Sequence, residues 1–288
     1  MPQFAAGKAT ICIVNYKTLD FTRLCLRSIR KFTKYPYEVI VVDNDSKDES
    51  VEYLRRLKWV RLIERPFQLG QLRGSYDQSA ALDLGLAGCN TEFYVVMHSD
   101  TFVKKTGWLT DLVSFFGNDT KIACGERTCP ERSRGSRTAC VGSGKIELTP
   151  KWQVLLKKLT DIKALRRKLF SSPSQRQQLR YYNRTICCLY QTEILRKEGL
   201  SFLMGNNEGF TAGQKLYYEL IDRGYKTVEL FPSVMGRYIT HLAHATQVIN
   251  PQEFKLRSKT HHKFSRLADK ILSSPVIQDI IDDDSLDS

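Results

Sequence analysis

Short apolar runs alternate with segments of helical spacing through the first 120 residues of the chain. The runs are rich in β-branched and aromatic residues, which predicts strands that are buried on both faces. Strands that alternate with helices indicate an α/β fold, with a mostly parallel central sheet flanked by helices and joined by right-handed crossovers. The apolar runs cover 10–15, 37–43, 60–64 and 91–97, and the helical segments between them cover 19–32, 48–57 and 75–86.

The pattern in the second half of the chain is less regular but still predicts both kinds of element. A smaller sheet is expected from strands flanking a basic, serine-rich loop at 131–137 and from two later apolar runs. A helix that buries Leu216, Leu220 and Ile221 ends at Gly224, a residue type favoured just past a helix. The predicted strands cover 122–128, 138–149, 184–191 and 227–231.

Three polar residues, His98, Ser99 and Asp100, follow the apolar run at 93–97. They are predicted to stand at the carboxyl end of a central strand, where open α/β sheets bind their ligands. A carboxylate in that place suits a divalent cation and the phosphates that the cation carries. Ser99 or Asp100 can equally begin the helix predicted at 107–116, so the triplet alone does not decide between a site and a helix cap.

Polar residues also follow the first two predicted strands. Asn15 and Tyr16 follow the first strand, and Asp43 and Asn44 lie at the end of the second. Because the carboxyl ends of parallel strands meet at one edge of a sheet, we expect these side chains to lie near Asp100. Asp43 can accept hydrogen bonds from a base or a ribose, or it can form an Asx turn before the next helix.

Composition and charge favour an anionic partner. The 288 residues include 44 Lys and Arg against 31 Asp and Glu, which gives a net charge of +13. The amino terminus lacks the pattern of a secretory signal, and no apolar run reaches the ~20 residues of a membrane-spanning helix. These features predict a cytoplasmic protein that is soluble or peripheral to a membrane. The eight cysteines contain no CxxC pair and are interpreted as reduced thiols.

A basic amphipathic helix is predicted between Lys151 and Arg180. Its leucines recur at helical spacing, and lysines and arginines supply the polar face. Such a helix suits an anionic bilayer surface. It can also be an ordinary surface helix that packs its leucines on the domain, which is the more common case.

The opening of the chain resembles the family 2 glycosyltransferases, which have the GT-A (Rossmann-like) fold. The resemblance is carried by TICIVNYKTLDFTRLCLRSI, by YEVIVVDNDSKDES and by the run AALDLG at 80–85. It extends over about 9–120 and, less closely, over 180–250. Asp43 matches the family's aspartate that contacts the nucleotide, and the triplet ending in Asp100 falls where the family carries its DxD motif. The first acid of that motif is replaced here by His98.

The resemblance implies a nucleotide-sugar site whose residues come from several strand ends. Asp100 preserves the metal ligand of the motif, and His241 matches a histidine past the last core strand that completes the metal or diphosphate site in many GT-A enzymes. His244 is the reserve candidate, and the ion is expected to be Mg²⁺ or Mn²⁺. The residues expected to bind the nucleotide sugar are Val14, Asn15, Tyr16, Asp43, Asn44, Gly74, His98 and Ser99.

An inverting transferase needs a carboxylate to take the proton from the attacking hydroxyl. The segment 200–226 resembles the family's acceptor-side loop and helix. Glu208 is the one acid between Glu198 and Glu219 and is the candidate base. Related sequences often have an aspartate before a Thr-Gly pair, and that acid is lost here. A solvated loop glutamate without a role is the competing interpretation.

The resulting hypothesis is an inverting, hexosyltransferase-type enzyme that moves a sugar from a nucleotide-diphosphate donor to a glycan or lipid-linked acceptor. The alternative is a non-catalytic GT-A-like module that binds a nucleotide sugar or an anionic membrane or polyanion surface. Nucleic-acid binding rests on charge alone and is the least favoured. One domain is expected over 1–250, with a nucleotide-sugar half to about residue 120, an acceptor half to 250 and the basic helix inserted. The remainder, 251–288, is expected to form a helix and a disordered acidic end.

Overall fold

The computed structural model describes residues 4–67, 74–117, 127–128, 137–144, 182–254 and 258–288. The basic helix predicted between Lys151 and Arg180, and the loop 131–137 apart from its last residue, lie outside the described residues. Within the described part of the chain, no helix is long and apolar enough to cross a membrane.

The first half of the chain forms the alternating strands and helices that its apolar pattern predicts. The first strand begins five residues earlier than predicted, in the stretch 5–9, whose first three residues are exposed. The strands are β1 (Ala5–Asn15), β2 (Tyr37–Asp43), β3 (Val60–Glu64) and β4 (Thr91–His98), and the helices are α1 (Leu19–Phe32), α2 (Glu49–Arg56) and α3 (Ser75–Gly88).

The second half adds shorter elements. The strands are β5 (Thr101–Val103), β6 (Arg127–Thr128), β7 (Thr138–Ser143), β8 (Cys187–Gln191), β9 (Lys226–Leu230) and β10 (Ile239–His241). The helices are α4 (Trp108–Ser114), α5 (Thr192–Lys197), α6 (Gln214–Asp222), α7 (Pro232–Met235), α8 (Ala245–Ile249), α9 (Ser258–Leu272) and α10 (Pro275–Ile281), with 3₁₀ turns at Asn206–Glu208 and Asp284–Asp287.

The strands form one eight-stranded mixed sheet in the order β3-β2-β1-β4-β8-β7-β9-β6, and β5 and β10 form a separate antiparallel pair. The first four strands of that order run parallel, and β8 runs antiparallel to β4. Asn15 is aligned with Asp43, and Val14 is aligned with His98. The polar ends of three strands therefore meet at one edge, as the sequence predicts. The strand order reverses between β1 and β4, which is where open α/β sheets bind ligands.

Apolar side chains cover both faces of the sheet. Helices α1, α2 and α4 pack on one face through residues such as Leu26, Leu54 and Leu112. Helices α3, α5 and α6 pack on the other face through residues such as Leu82 and Leu216. Burial on both faces explains why the central strands have near-continuous apolar runs instead of alternating ones.

Helix α3 approaches the sheet closely at Gly85. A Cβ atom at this position would lie 2.4 Å from Cys12 Sγ and 2.5 Å from the Tyr94 hydroxyl. The thiol and the phenol are both fully buried and have no room to move away. The helix therefore lies over β1 and β4 at a distance that only glycine permits. This contact fixes the position of the amino-terminal end of α3, which faces the sheet edge.

The carboxyl-terminal segment is ordered, which corrects the expectation of a disordered acidic end. Helix α10 packs Ile277 and Ile280 against Phe21 and Leu24 of α1. The acidic residues that follow form the 3₁₀ turn Asp284–Asp287. The composition of this segment predicts that it is solvated, because its acids outnumber its apolar residues. In the structure, Asp284 and Asp287 instead pair with Arg27, a buried arginine of α1 that no local sequence pattern reveals.

Candidate active site

Asp100 and His241 meet because β5 and β10 pair. Thr101, the residue after Asp100, is aligned with His241 in this antiparallel pair, and the amide of Leu242 donates to the carbonyl of Asp100. His241 Nε2 consequently lies 3.3 Å from Asp100 Oδ1. Both side chains are at least nine-tenths buried. The two residues predicted to hold a metal are thus neighbours, although 140 positions separate them in the chain.

His98 completes the group from the end of β4. Its Nδ1 lies 3.7 Å from Asp100 Oδ1. Its Nε2 lies 2.6 Å from the side-chain amide of Gln78 and 3.1 Å from Thr185 Oγ1. The hydrogen bonds on Nε2 leave Nδ1 as the nitrogen that is aimed at Asp100. Burial, together with the like charges of its neighbours, lowers the pKa of His98 to about 4, so the imidazole is neutral and able to ligate a cation.

The electrostatics of Asp100 keep the carboxylate ionised. Burial by itself would raise its pKa, but His241, His98 and the backbone N–H of Ala245 outweigh that effect and hold the pKa well below its ordinary value. Asp100 Oδ2 accepts from the Ala245 amide at 3.3 Å. Among the described residues, Asp100 Oδ1 and His241 Nδ1 are buried without a hydrogen-bond partner. A buried, ionised oxygen that lies near two histidines but lacks a well-formed hydrogen bond is costly unless a ligand supplies the missing contact.

The three side chains fit a divalent cation. Their ligand atoms all lie within 4.8 Å of one another. A first-row ion holds nitrogen and oxygen ligands at about 2.0–2.2 Å, so two ligands of one ion stand at most about 4.4 Å apart. The two separations that involve Asp100, 3.3 Å and 3.7 Å, fall inside that limit. A metal ion would therefore be held by His98, Asp100 and His241.

A cavity of about 540 Å³ opens beside this group. Its walls come from the strand ends, the start of α3, the stretch before β8 and the segment after β10. The volume is in the range of sites that hold a small organic ligand. Nine of the residues predicted to form the site line it: Val14, Tyr16, Asn44, Gly74, His98, Ser99, Asp100, His241 and His244.

Asn15 and Asp43 lie beneath the edge and form a buried hydrogen-bond network. The Asn15 amide donates to Asp43 Oδ1 at 2.7 Å and to Ser50 Oγ at 2.8 Å. Its carbonyl oxygen accepts from Thr22 at 2.7 Å. Asp43 also accepts from the backbone N–H of Ser46. Asn15 is fully engaged within the protein, and Asp43 borders a separate cavity of about 400 Å³ instead of the larger one.

Glu208 lies on the 3₁₀ turn Asn206–Glu208 and makes an ion pair with Lys215. Its side chain is more than half exposed, and it is not part of the wall of the larger cavity. Thr211 and Ala212, which follow it, do line that cavity. The structure thus brings the neighbours of the candidate base to the site, with Glu208 itself farther out.

Several residues at the site were missed by sequence reasoning. Gln78 and Thr185 contact His98, and Glu253 accepts hydrogen bonds from both Tyr16 and Lys17 at the cavity edge. The sequence does indicate a place for Gln78 at the sheet edge, because it is a polar residue in the first turns of a helix that follows a strand and a glycine-containing loop. No such indication exists for Glu253, since it belongs to a charged segment more than 230 positions from Tyr16.

Comparison with known proteins supports the fold. The structure of the mannosyltransferase PcManGT from Pyrobaculum calidifontis, in complex with GDP-Man and Mn²⁺, matches 85% of this chain at 16% identity with a TM-score of 0.50. The match spans 61% of that protein's chain. S. aureus TarS 1-349 matches 89% of this chain, and 69% of its own, at 13% identity and a TM-score of 0.47. A comparison with curated protein sequences finds no significant match.

The parallel half-sheet, the antiparallel extension and the acidic strand end define a GT-A-type α/β domain. The profile of Glycosyl transferase family 2 matches residues 10–188, which is more than half of the chain. The chain belongs to that family. The expected family and fold are confirmed, while the roles of the individual site residues stay predictions.

Proposed function

We propose that the protein transfers a sugar from a nucleotide-diphosphate donor to a hydroxyl of a glycan or lipid-linked acceptor, with inversion at the anomeric carbon. The observation that carries this proposal is the buried group formed by His98, Asp100 and His241 at the edge of a family 2 sheet. The adjoining cavity has room for a ligand and is walled by residues from three strand ends. The structure of PcManGT in complex with GDP-Man and Mn²⁺ is consistent with such a donor.

The chain's own residues would divide the work as follows. Tyr16 and Asn44 face the cavity from the ends of β1 and β2 and would contact the nucleoside. Asp43 would act from below by holding Asn15 and the turn that carries Asn44. His98, Asp100 and His241 would hold Mn²⁺ or Mg²⁺, which supplies positive charge to the diphosphate as it leaves. Ser99 lies between two of these ligands in the sequence, lines the cavity and would contact a phosphate oxygen.

Glu208 is proposed as the base that removes the acceptor proton. It belongs to the loop that brings Thr211 and Ala212 to the cavity wall. Its partner Lys215 is itself on helix α6, so the loop and the helix are tied together at this point. The acceptor would approach from this side and would bring its hydroxyl within hydrogen-bond reach of the carboxylate, as proton transfer requires.

The test is donor breakdown by the full chain. We expect the wild-type protein, given a panel of UDP and GDP sugars, to release nucleoside diphosphate in a metal-dependent reaction. Asp100→Asn should lower that rate by at least about 100-fold, because the ion loses its charged ligand. Asp269→Asn removes an exposed acid on α9 and should leave the rate unchanged. Equal rates in wild type and Asp100→Asn would contradict the proposed role of this site.

A non-catalytic binding module is the second candidate, and one observation favours it. The acids that line the cavity are Asp45, which pairs with Lys47, Asp77, which pairs with Arg65, and Asp100 of the metal group. The candidate base Glu208 is outside that wall. A protein that binds nucleotide sugars with micromolar affinity, yet releases no nucleotide with any donor and acceptor tested, would establish this second reading.

A further inference from the structure

We propose that His98 makes this site selective for Mn²⁺ and the later first-row ions over Mg²⁺. The proposal rests on the proposed metal site and deepens it, because it assigns the choice of ion to one side chain. Two imidazoles and one carboxylate converge at this site, so nitrogen outnumbers oxygen among the protein ligands. The resemblance to the family leads one to expect an acid at position 98, and the chain has a histidine there instead.

The donor set argues against magnesium. Mg²⁺ is a hard ion that takes oxygen ligands in a near-ideal octahedron and gives up its waters reluctantly. Imidazole nitrogen suits transition ions, whose affinities for such sites rise from Mn²⁺ towards Co²⁺ and Ni²⁺. A single protein carboxylate, Asp100, is left for Mg²⁺, and one of its oxygens already accepts from Ala245.

The surroundings of His98 hold its ring in the ligating orientation. Gln78 and Thr185 both contact Nε2. Thr185 Oγ1 can accept the proton that Nε2 carries when Nδ1 ligates, and the Gln78 amide accepts it when its oxygen instead of its nitrogen faces the ring. Gln78 also lies 3.2 Å from Thr185 Oγ1, so the two partners are tied to each other. The side chain of His98 is therefore braced on the side away from Asp100, and its Nδ1 stays aimed at the carboxylate.

The other two ligands show that the group is built to receive an ion. Asp100 Oδ1 and His241 Nδ1 are buried and lack a hydrogen-bond partner among the described residues. The rings of His98 and His241 meet edge to face with centroids 5.5 Å apart, and both have a nitrogen within 3.7 Å of the same carboxylate oxygen. A cation held between the two imidazoles would supply the contact that Asp100 Oδ1 lacks.

The experiment measures metal binding to the full chain by titration calorimetry. Mn²⁺, Co²⁺, Mg²⁺ and Ca²⁺ are each titrated in the presence of UDP and, separately, of GDP. We expect Mn²⁺ and Co²⁺ to bind at least about 100-fold more tightly than Mg²⁺. His98→Asp, which restores an oxygen ligand, should narrow the gap between Mn²⁺ and Mg²⁺ by at least about tenfold. His262→Asp makes the same exchange at an exposed position on α9, away from the cavity wall, and should leave the gap unchanged.

A spectroscopic measurement keeps the proposal testable if His98→Asp does not fold. Pulsed electron paramagnetic resonance of Mn²⁺ bound to the wild-type protein should show couplings to two imidazole nitrogens, and His98→Asn should show one. Equal affinity of the wild type for Mn²⁺ and Mg²⁺, or a Mn²⁺ signal without nitrogen coupling, would overturn the proposal. Neither measurement depends on sugar transfer. The proposed metal preference can therefore be wrong while the proposed activity is right, and the proposed activity can be wrong while the metal preference is right.

Discussion

Arg27 Nε, in the middle of helix α1, donates a hydrogen bond of 2.9 Å to Asp287 Oδ1, the second-to-last residue of the chain. The arginine side chain is only 3% exposed and also pairs with Asp284. Tyr53 of helix α2 donates to the same Asp287 oxygen at 2.8 Å. The acidic end of the chain is thus the counter-charge for a buried cation, and it joins the two helices on one face of the sheet.

Arg27→Met should destabilise the protein by about 2–3 kcal/mol, because hydrogen bonds to charged partners and a buried ion pair are lost together. Methionine keeps much of the apolar length of the side chain, so packing changes little. The measurement is the free energy of unfolding in urea. Arg56→Met changes an exposed arginine at the end of α2 and should fall within about 0.5 kcal/mol of wild type. Equal effects of both substitutions would contradict the anchoring role of Arg27.

The same contact predicts a dependence on pH. Burial alone would raise the pKa of Asp287, but the hydrogen bonds from Arg27 and Tyr53 outweigh it and hold that pKa below its ordinary value. A carboxyl whose pKa is lowered by folding stabilises the native state above its unfolded pKa of about 3.9, and this contribution disappears as the pH falls through the folded value. The stability gap between wild type and Asp287→Asn should be constant from pH 6 to 8 and should narrow below about pH 4. A gap that widens in acid would refute this assignment.

Gly85→Ala should cost at least about 1–3 kcal/mol, since the added methyl group would overlap with buried Cys12 and Tyr94. Gly88→Ala is the matched control on the same helix. Its methyl group would lie 3.2 Å from the exposed end of Arg61, which can move aside. Thermal unfolding of the two variants measures the difference, and a Gly85→Ala protein as stable as Gly88→Ala would show that α3 does not lie as close to β1 as described.

Glu253→Ala should weaken donor binding without slowing the chemical step. Glu253 accepts hydrogen bonds from Tyr16 and Lys17, and its neighbour Phe254 lines the cavity. A partly exposed pair of this kind is worth about 0.2–1 kcal/mol, so the KM for the donor should rise by up to about fivefold while kcat is retained. The exposed neighbour provides the control Gln252→Ala, for which neither constant should change. A fall in kcat alone would instead place Glu253 in the reaction.

The nucleotide-sugar half of the fold was predictable because its strands are buried on both faces. Runs such as 39–42 are apolar from end to end, and the polar residue that follows each run marks the sheet edge. Tertiary partners were not predictable in the same way. The Asn15 side chain makes hydrogen bonds to Asp43 and to the hydroxyls of Ser46, Ser50 and Thr22. No local sequence pattern indicates that these hydroxyls converge on one amide.

The acceptor half shows the limits of pattern more clearly. Strands β5 and β10 have three residues each, which is too short for a period to be recognised. His241 was found through the resemblance to the family, and only the structure explains its place opposite Thr101. Glu208 was chosen as the one acid in its segment, and the ion pair with Lys215 is a contact that the order of residues does not disclose.

The pairing of β5 with β10 also governs when the site can exist. Side chains alternate across a strand, so a slip of one residue would turn His241 away from Asp100 and break up the proposed metal site. His241 emerges from the ribosome 141 residues after Asp100, and β5 lacks its partner strand β10 until then. A growing polypeptide therefore carries the acidic part of the candidate site without its partner histidine, and the full set of candidate ligands exists only after β10 has been synthesised.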